Sequence, residues 1–343
     1  MKKYLFIVAC MLGSLQGVAQ TSLSGALPLL QQPTRTPEQT QQVLGLFRSA
    51  QDPNTVFAAG ASLVKIPPAL QAEPVLLNLI IQGNNPLKAA FSAIILTSMG
   101  SVYEQLTPLL QDVLQSQDPV LRAYAAGAYA LANPSDPTHI TDVIRLFIFD
   151  DKLAQRAMNL LAKTDKEQLS FLKKAASDAD PQVRASAAAW LGTLHTQDAV
   201  KILLKRAKTE ADSTVQTQLA IALAKTPDLA LTQTAKGLSV SYKKPASATY
   251  ALALGFMTGN SVDALKTALT STNENQRINA ARACAYMAGV LSNPDAFNYT
   301  TDREFDAHLL KGLIPALTAL SRDGTAAEQS YAQNALSQLE KLM

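Results

Sequence analysis

Asp180-Pro181-Gln182-Val183-Arg184, followed by Ala187, Ala188, Trp190-Leu191-Gly192 and Leu194, is the stretch whose reading decides the fold. Asp before Pro is helix-start chemistry. The carboxylate accepts from free amides of the first turn, and a proline at the first helical position has no N–H to leave unpaired. Beyond it, Val183, Ala187, Trp190, Leu191 and Leu194 fall on one helical face. The phrase also stands earlier as Asp118-Pro119-Val120-Leu121-Arg122, with Ala125, Ala126 and Ala128 after it. Aligned on these two, helix starts fall near Asp52, Asn84, Asp118, Asp150, Asp180, Asp212, Lys243 and Asn273, about 30–34 residues apart, with a ninth near Thr325. Self-similarity at such a period signals a solenoid.

A second amphipathic run precedes these starts, for example at 102–114, 139–149, 166–176, 199–207, 262–269 and 307–320. In the run at 199–207, Val200, Leu203, Leu204 and Ala207 take the i, i+3, i+4, i+7 positions of one face. The unit is therefore an antiparallel helical hairpin, and stacked hairpins bury what a single one cannot. Composition agrees: 48% of residues are hydrophobic but only 6% aromatic, so alanine and leucine carry the apolar content. Strand-like runs of Val, Ile, Thr and aromatics are scarce.

The pattern Asp-Pro-x-Val-Arg, spaced alanines, Leu-Gly-x-Leu resembles HEAT-like repeats, of the short kind also found in phycobilin-lyase-type proteins. Residues 180–194 match it nearly completely, and residues 118–131 match with Leu121 for Val and Tyr129 for Leu. The Asn273 unit keeps Arg277 but has Gln276 at the apolar position, the Asp212 unit has Val215 but Gln216 for Arg, and the Lys243 unit keeps Leu254-Gly255. The resemblance implies an all-α, right-handed α-solenoid of about nine hairpins over residues 36–343, with an insertion at about 291–303. It also implies inter-repeat links through Asp118, Arg122, Asp180, Arg184 and Arg277.

At the N-terminus, basic Met1-Lys2-Lys3, an apolar run from Tyr4 to Leu12 and small residues ending at Ala19 read as a signal peptide of residues 1–19, followed by a linker at 20–35. The apolar run is too short for a permanent membrane span, and Ile7-Val8-Ala9-Cys10 leaves lipid attachment at Cys10 open. The expectation is an exported chain, periplasmic, with secreted or lipid-anchored alternatives. Net charge is +3, and removing Lys2 and Lys3 would leave +1. Such a balance does not point to nucleic acid. Cys284 would then be the sole cysteine, so no internal disulfide is available.

Catalytic motifs are missing: no phosphate-cradling glycine loop, no Gly-x-Ser-x-Gly, no Cys-x-x-Cys. His139, His195 and His308 lie in units far apart. Asp302, Glu304, Asp306 and His308 alternate, which scatters them around a helix, and Thr301-x-x-Glu304 reads as a capping box rather than a metal site. No metal or cofactor is expected. Trp190 and Cys284 take core positions on the helical wheel.

The opposite wheel face carries 185, 189, 192 and their equivalents. Over most of the array these are small residues, which suits either close helix packing or a smooth groove. Toward the C-terminal end Ile221, Leu252 and Ile278 form a more apolar strip beside Arg282, and the insertion offers Phe297 and Tyr299 as contacts. The resulting expectation is a non-enzymatic scaffold or adaptor of the cell envelope that binds a protein or peptide. The alternatives are a lyase-like or cofactor-handling protein, implied by the resemblance alone, and an envelope spacer without a specific ligand.

Overall fold

The computed structural model describes residues 26–101, 106–292 and 310–340, which are helices and turns with no strand among them. The chain divides after Phe171 into two compact units. In the first, four hairpins follow one another: α1 (Pro37–Ser49) with α2 (Pro53–Lys65), α3 (Glu73–Gln82) with α4 (Pro86–Ser98), α5 (Leu106–Val113) with α6 (Pro119–Ala132), and α7 (Ile140–Leu146) with α8 (Asp151–Leu161). The second helices stack in series, α2 on α4, α4 on α6, α6 on α8.

After α9 (Asp165–Ala175), the second unit carries α10 (Pro181–Leu191) and then four hairpins. These are α11 (Gln197–Ala207) with α12 (Ser213–Ala224), α13 (Pro227–Gly237) with α14 (Pro245–Met257), α15 (Val262–Leu269) with α16 (Glu274–Ser292), and α17 (Ile314–Asp323) with α18 (Ala326–Glu340). Here too the second helices stack in order, from α10 through α12, α14 and α16 to α18. Within each unit this is the all-α solenoid arrangement that the repeat predicts.

The second helices begin where local cap chemistry dictates. Asp52, Asp118 and Asp212 each accept two first-turn amides, while Asp150 accepts from Leu153 and Asp180 from Gln182. Asn273 accepts from Gln276, and Thr325 forms a capping box with Glu328. Two starts move by one residue: Asn85, not Asn84, caps α4, and α14 begins after Lys244 with no side-chain cap. The stretch read as linker is fastened to α2. Arg35 donates to the Ser62 hydroxyl at 2.9 Å and to the carbonyls of Ser62 and Ile66 at 2.6 and 3.0 Å, satisfying acceptors that a helix C-terminus leaves free.

Close stacking is possible because side chains vanish at the contacts. A Cβ on Gly192 would lie 2.7 Å from the Ala222 Cα of α12, and one on Gly255 would lie 2.7 Å from the Tyr286 Cβ of α16. The Leu-Gly element is therefore a spacer between successive second helices. Trp190 and Cys284 are both in the core, and burial pushes the Cys284 thiol up to about 12.

Candidate functional site

Arg184 is the best-built polar element. Its Nε and Nη2 donate to Glu210 at 3.0 and 2.9 Å, and its Nη1 donates to the carbonyls of Asp178 and Ala179. Glu210, in the turn before α12, is 2% exposed and also accepts from Arg206 at 2.7 Å and from the amides of Ala211 and Asp212. Burial would raise its pKa, but the hydrogen bonds from Arg184, Arg206 and the Asp212 amide outweigh that and hold the carboxyl down at about 2.

The same joint recurs with different partners. Arg277 donates to Glu328 at 2.5 Å and to the Ser271 carbonyl at 2.6 Å. Arg122 donates to the Ser116 carbonyl at 2.6 Å and stands 4.0 Å from Asp142. In the Asp212 unit, Gln216 replaces arginine yet still donates to the Glu210 carbonyl at 2.9 Å. The constant part of the joint is thus a donor reaching the carbonyl six residues back; the carboxylate varies. Asp118 and Asp180, expected in the inter-repeat links, place their carboxylates on the first-turn amides of their own helices. Carboxylates that the motif does not mark also face the arginines, namely Glu210, Glu328 and Asp142, and the charge of Asp180 acts on Arg184 beside that of Glu210.

The strip read from the helical wheel is only partly a surface. Ile221, Leu252 and Arg282 are half-buried at matching positions of α12, α14 and α16. Ile278 is completely buried and is corrected from a contact residue to a core residue. A second helix has helices on both flanks and its own hairpin partner behind it, so little of its circumference stays free. In α4, every residue from Lys88 to Ser98 is buried. Phe297, Tyr299, Asp302, Glu304, Asp306 and His308 lie outside the described residues, as do Cys10 and residues 1–19.

Around Arg282 the structure shows a cluster that the sequence does not announce. Asn275, Asn279 and Arg282, spaced i, i+4, i+7 on α16, together hold the loop before α14. Asn275 Oδ1 accepts from the Tyr242 amide at 3.2 Å, and Asn279 donates to the carbonyls of Leu238 and Val240 at 2.8 and 2.9 Å. The Arg282 Nη1 reaches the Tyr242 carbonyl and the Ser247 hydroxyl at 3.4 and 3.3 Å, and its guanidinium lies 5.6 Å from the centre of the Tyr331 ring. Tyr242 and Tyr331 meet edge to face at 6.2 Å, with the Lys243 ammonium 5.7 Å from the Tyr242 ring. Among the described residues, no group of three or more His, Cys, Asp or Glu side chains could hold a metal. No described helix is long and apolar enough to cross a membrane.

Residues 148–224 match the family model of HEAT repeats. The hairpins that stack within each unit have the all-α solenoid arrangement of such repeats, so the chain is HEAT-like in this matched stretch and in its architecture. Among solved structures, the chain is similar to the crystal structure of Kap121p bound to Pho4p, with 14% identity, 92% of this chain and 38% of that chain covered, and a TM-score of 0.45. A crystal structure of Kap121p is 11% identical over 98% of this chain and 43% of that one, with a TM-score of 0.37. An engineered protein is 17% identical over 88% of this chain and 98% of its own, with a TM-score of 0.22. The chain therefore spans about two fifths of the Kap121p structures it resembles. No curated protein matches the sequence.

Proposed function

We propose that the protein is a non-enzymatic interaction scaffold that binds a protein or peptide across the second helices of its C-terminal unit. The observation that carries this reading is the line of half-buried side chains Ile221, Leu252 and Arg282 at matching positions of three successive helices. An apolar line ending in a cation suits a peptide or helix laid across the repeats, because each repeat adds one contact. The leader-like residues 1–19 support placing this adaptor outside the cytoplasm, in the cell envelope.

Affinity capture with the full chain, followed by mass spectrometry of an envelope extract, tests the reading. One dominant partner is expected with the natural chain, and it should be lost with Leu252→Asp while circular dichroism shows an unchanged helix signal. Retention of the same partner by that variant would overturn the placement.

A further inference from the structure

Second helices begin at an oxygen-bearing cap in this protein, whether Asp, Asn or Thr. Helix α14 departs from this: Lys244 stands at its cap position without a side-chain cap bond, and Lys243 precedes it. Two ammonium groups therefore stand at the positive end of a helix dipole, where a cation is unfavourable and an anion is stabilised. Both lysines are exposed.

Arg282 adds a third cation to this end. Side chains on a helix lean toward its N-terminus, which takes Arg282 of α16 back to Tyr242 and Ser247 at the start of α14. It differs from Arg184, Arg206 and Arg277, each of which has a carboxylate within 3.0 Å. Arg282 has no carboxylate partner among the described residues, and its two hydrogen bonds, at 3.3 and 3.4 Å, both use Nη1. A guanidinium has five N–H donors in a planar fork that matches a carboxylate. Here the fork lies against the Tyr331 ring, which limits the rotamer freedom that binding would otherwise remove.

We infer that the Tyr242, Lys243, Lys244, Arg282 and Tyr331 cluster anchors a carboxylate-rich segment of a partner protein. One carboxylate sits on the Arg282 fork and a neighbouring acidic side chain is held by the lysines at the uncapped end of α14. This inference rests on the protein-binding reading above and names the chemistry of the partner. The cluster gathers three cationic side chains on a chain whose net charge is only +3. A nucleic acid would call for a broad basic face along several repeats.

The test is fluorescence anisotropy of a labelled oligoglutamate peptide titrated with the full chain, beside a neutral Gly-Ser peptide and an oligothymidylate of the same length. Oligoglutamate is expected to bind, more weakly as salt rises, and the neutral peptide not to bind. Lys243→Glu and Arg282→Gln are each expected to weaken binding about tenfold, while Lys266→Glu, an exposed change on α15, leaves it unaltered. Among the described residues Lys243 makes only a ring contact at the surface, so its variant tests the site without disturbing the loop that Arg282 helps to hold. Equal binding by the natural chain and both variants, or tighter binding of oligothymidylate, would overturn the inference. If oligoglutamate fails while capture of the partner stays sensitive to Leu252→Asp, the acidic-segment inference falls and the scaffold reading stands. Failure of both assays removes both.

Discussion

Arg184 and Glu210 join successive repeats through two parallel hydrogen bonds, 3.0 Å from Nε to Oε2 and 2.9 Å from Nη2 to Oε1. A fork-to-carboxylate pair is among the stronger polar contacts a protein makes, and at this depth its loss leaves charge without a partner. Glu210→Gln should therefore cost about 3 kcal/mol in urea unfolding, because Arg184 and Arg206 both lose their anion. Asp198→Asn, which breaks the exposed pair with Lys201, should change stability by less than about 0.5 kcal/mol. Equal midpoints for the two variants would show that the buried joint adds no more than the surface one.

The titration of two buried acids should act in opposite directions. Glu210 is held well below its ordinary value, so the stability it adds is present above about 4.5 and is lost as pH falls toward about 2. Asp150 is 1% exposed with no hydrogen-bond partner on Oδ2, and burial pushes it up despite the hydrogen bond from the Leu153 amide. Its contribution is present below the ordinary carboxylate value and is lost as pH rises through its folded value. Thermal unfolding across pH should show the acid-side slope shrink in Glu210→Gln. In Asp150→Asn the loss on raising pH should shrink instead, since asparagine can still accept the Leu153 amide without ionising. A single slope unaltered in both variants would refute this assignment.

How much of this was readable beforehand depends on the range of the interaction. The starts at Asp52, Asp118, Asp150, Asp180 and Asp212 were legible because a cap bond spans two or three residues. Glu210 and Glu328 were not legible as arginine partners, since they lie 26 and 51 residues from the arginines they hold. The carbonyl half of the joint is backbone and leaves no residue signature, although the donor at a fixed place after the cap was visible, even as Gln216. The wheel misplaced Ile278 because one helix's periodicity records a single buried side, whereas neighbouring repeats cover the flanks as well. The Asn275, Asn279 and Arg282 stripe was visible as spacing, but nothing in it named the Tyr242 loop as its target.

The glycine spacers make a directional prediction about packing. Gly192→Ala puts a methyl 2.7 Å from backbone in α12, so the two helices must move apart, at a cost of about 1–3 kcal/mol. Gly45 lies in α1 with nothing within 4 Å of an added Cβ, so Gly45→Ala should stabilise by about 0.5–1 kcal/mol through helix propensity. Chemical denaturation of the two variants gives shifts of opposite sign if Gly192 serves as a spacer. A stabilising Gly192→Ala would show that the contact is loose.

Cys284 offers a probe of the core of the C-terminal unit. It is fully buried in α16, and its thiol is pushed up to about 12 by that burial, so thiolate is scarce at neutral pH and the sulfur is shielded from reagents. In a Cys10→Ser background the natural fold should react with a disulfide reagent only as fast as it opens, with full reaction on adding denaturant. Asn279→Ala removes the side chain that donates to the carbonyls of Leu238 and Val240, from a position between one and two turns before Cys284 on the same helix. Each bond to a buried carbonyl is worth about 1 kcal/mol, so opening of the unit, and with it labelling, should rise by about tenfold or more. If labelling of Asn279→Ala matched that of the parent, the loop before α14 would be packed independently of α16, and the polar stripe would not be what holds it there.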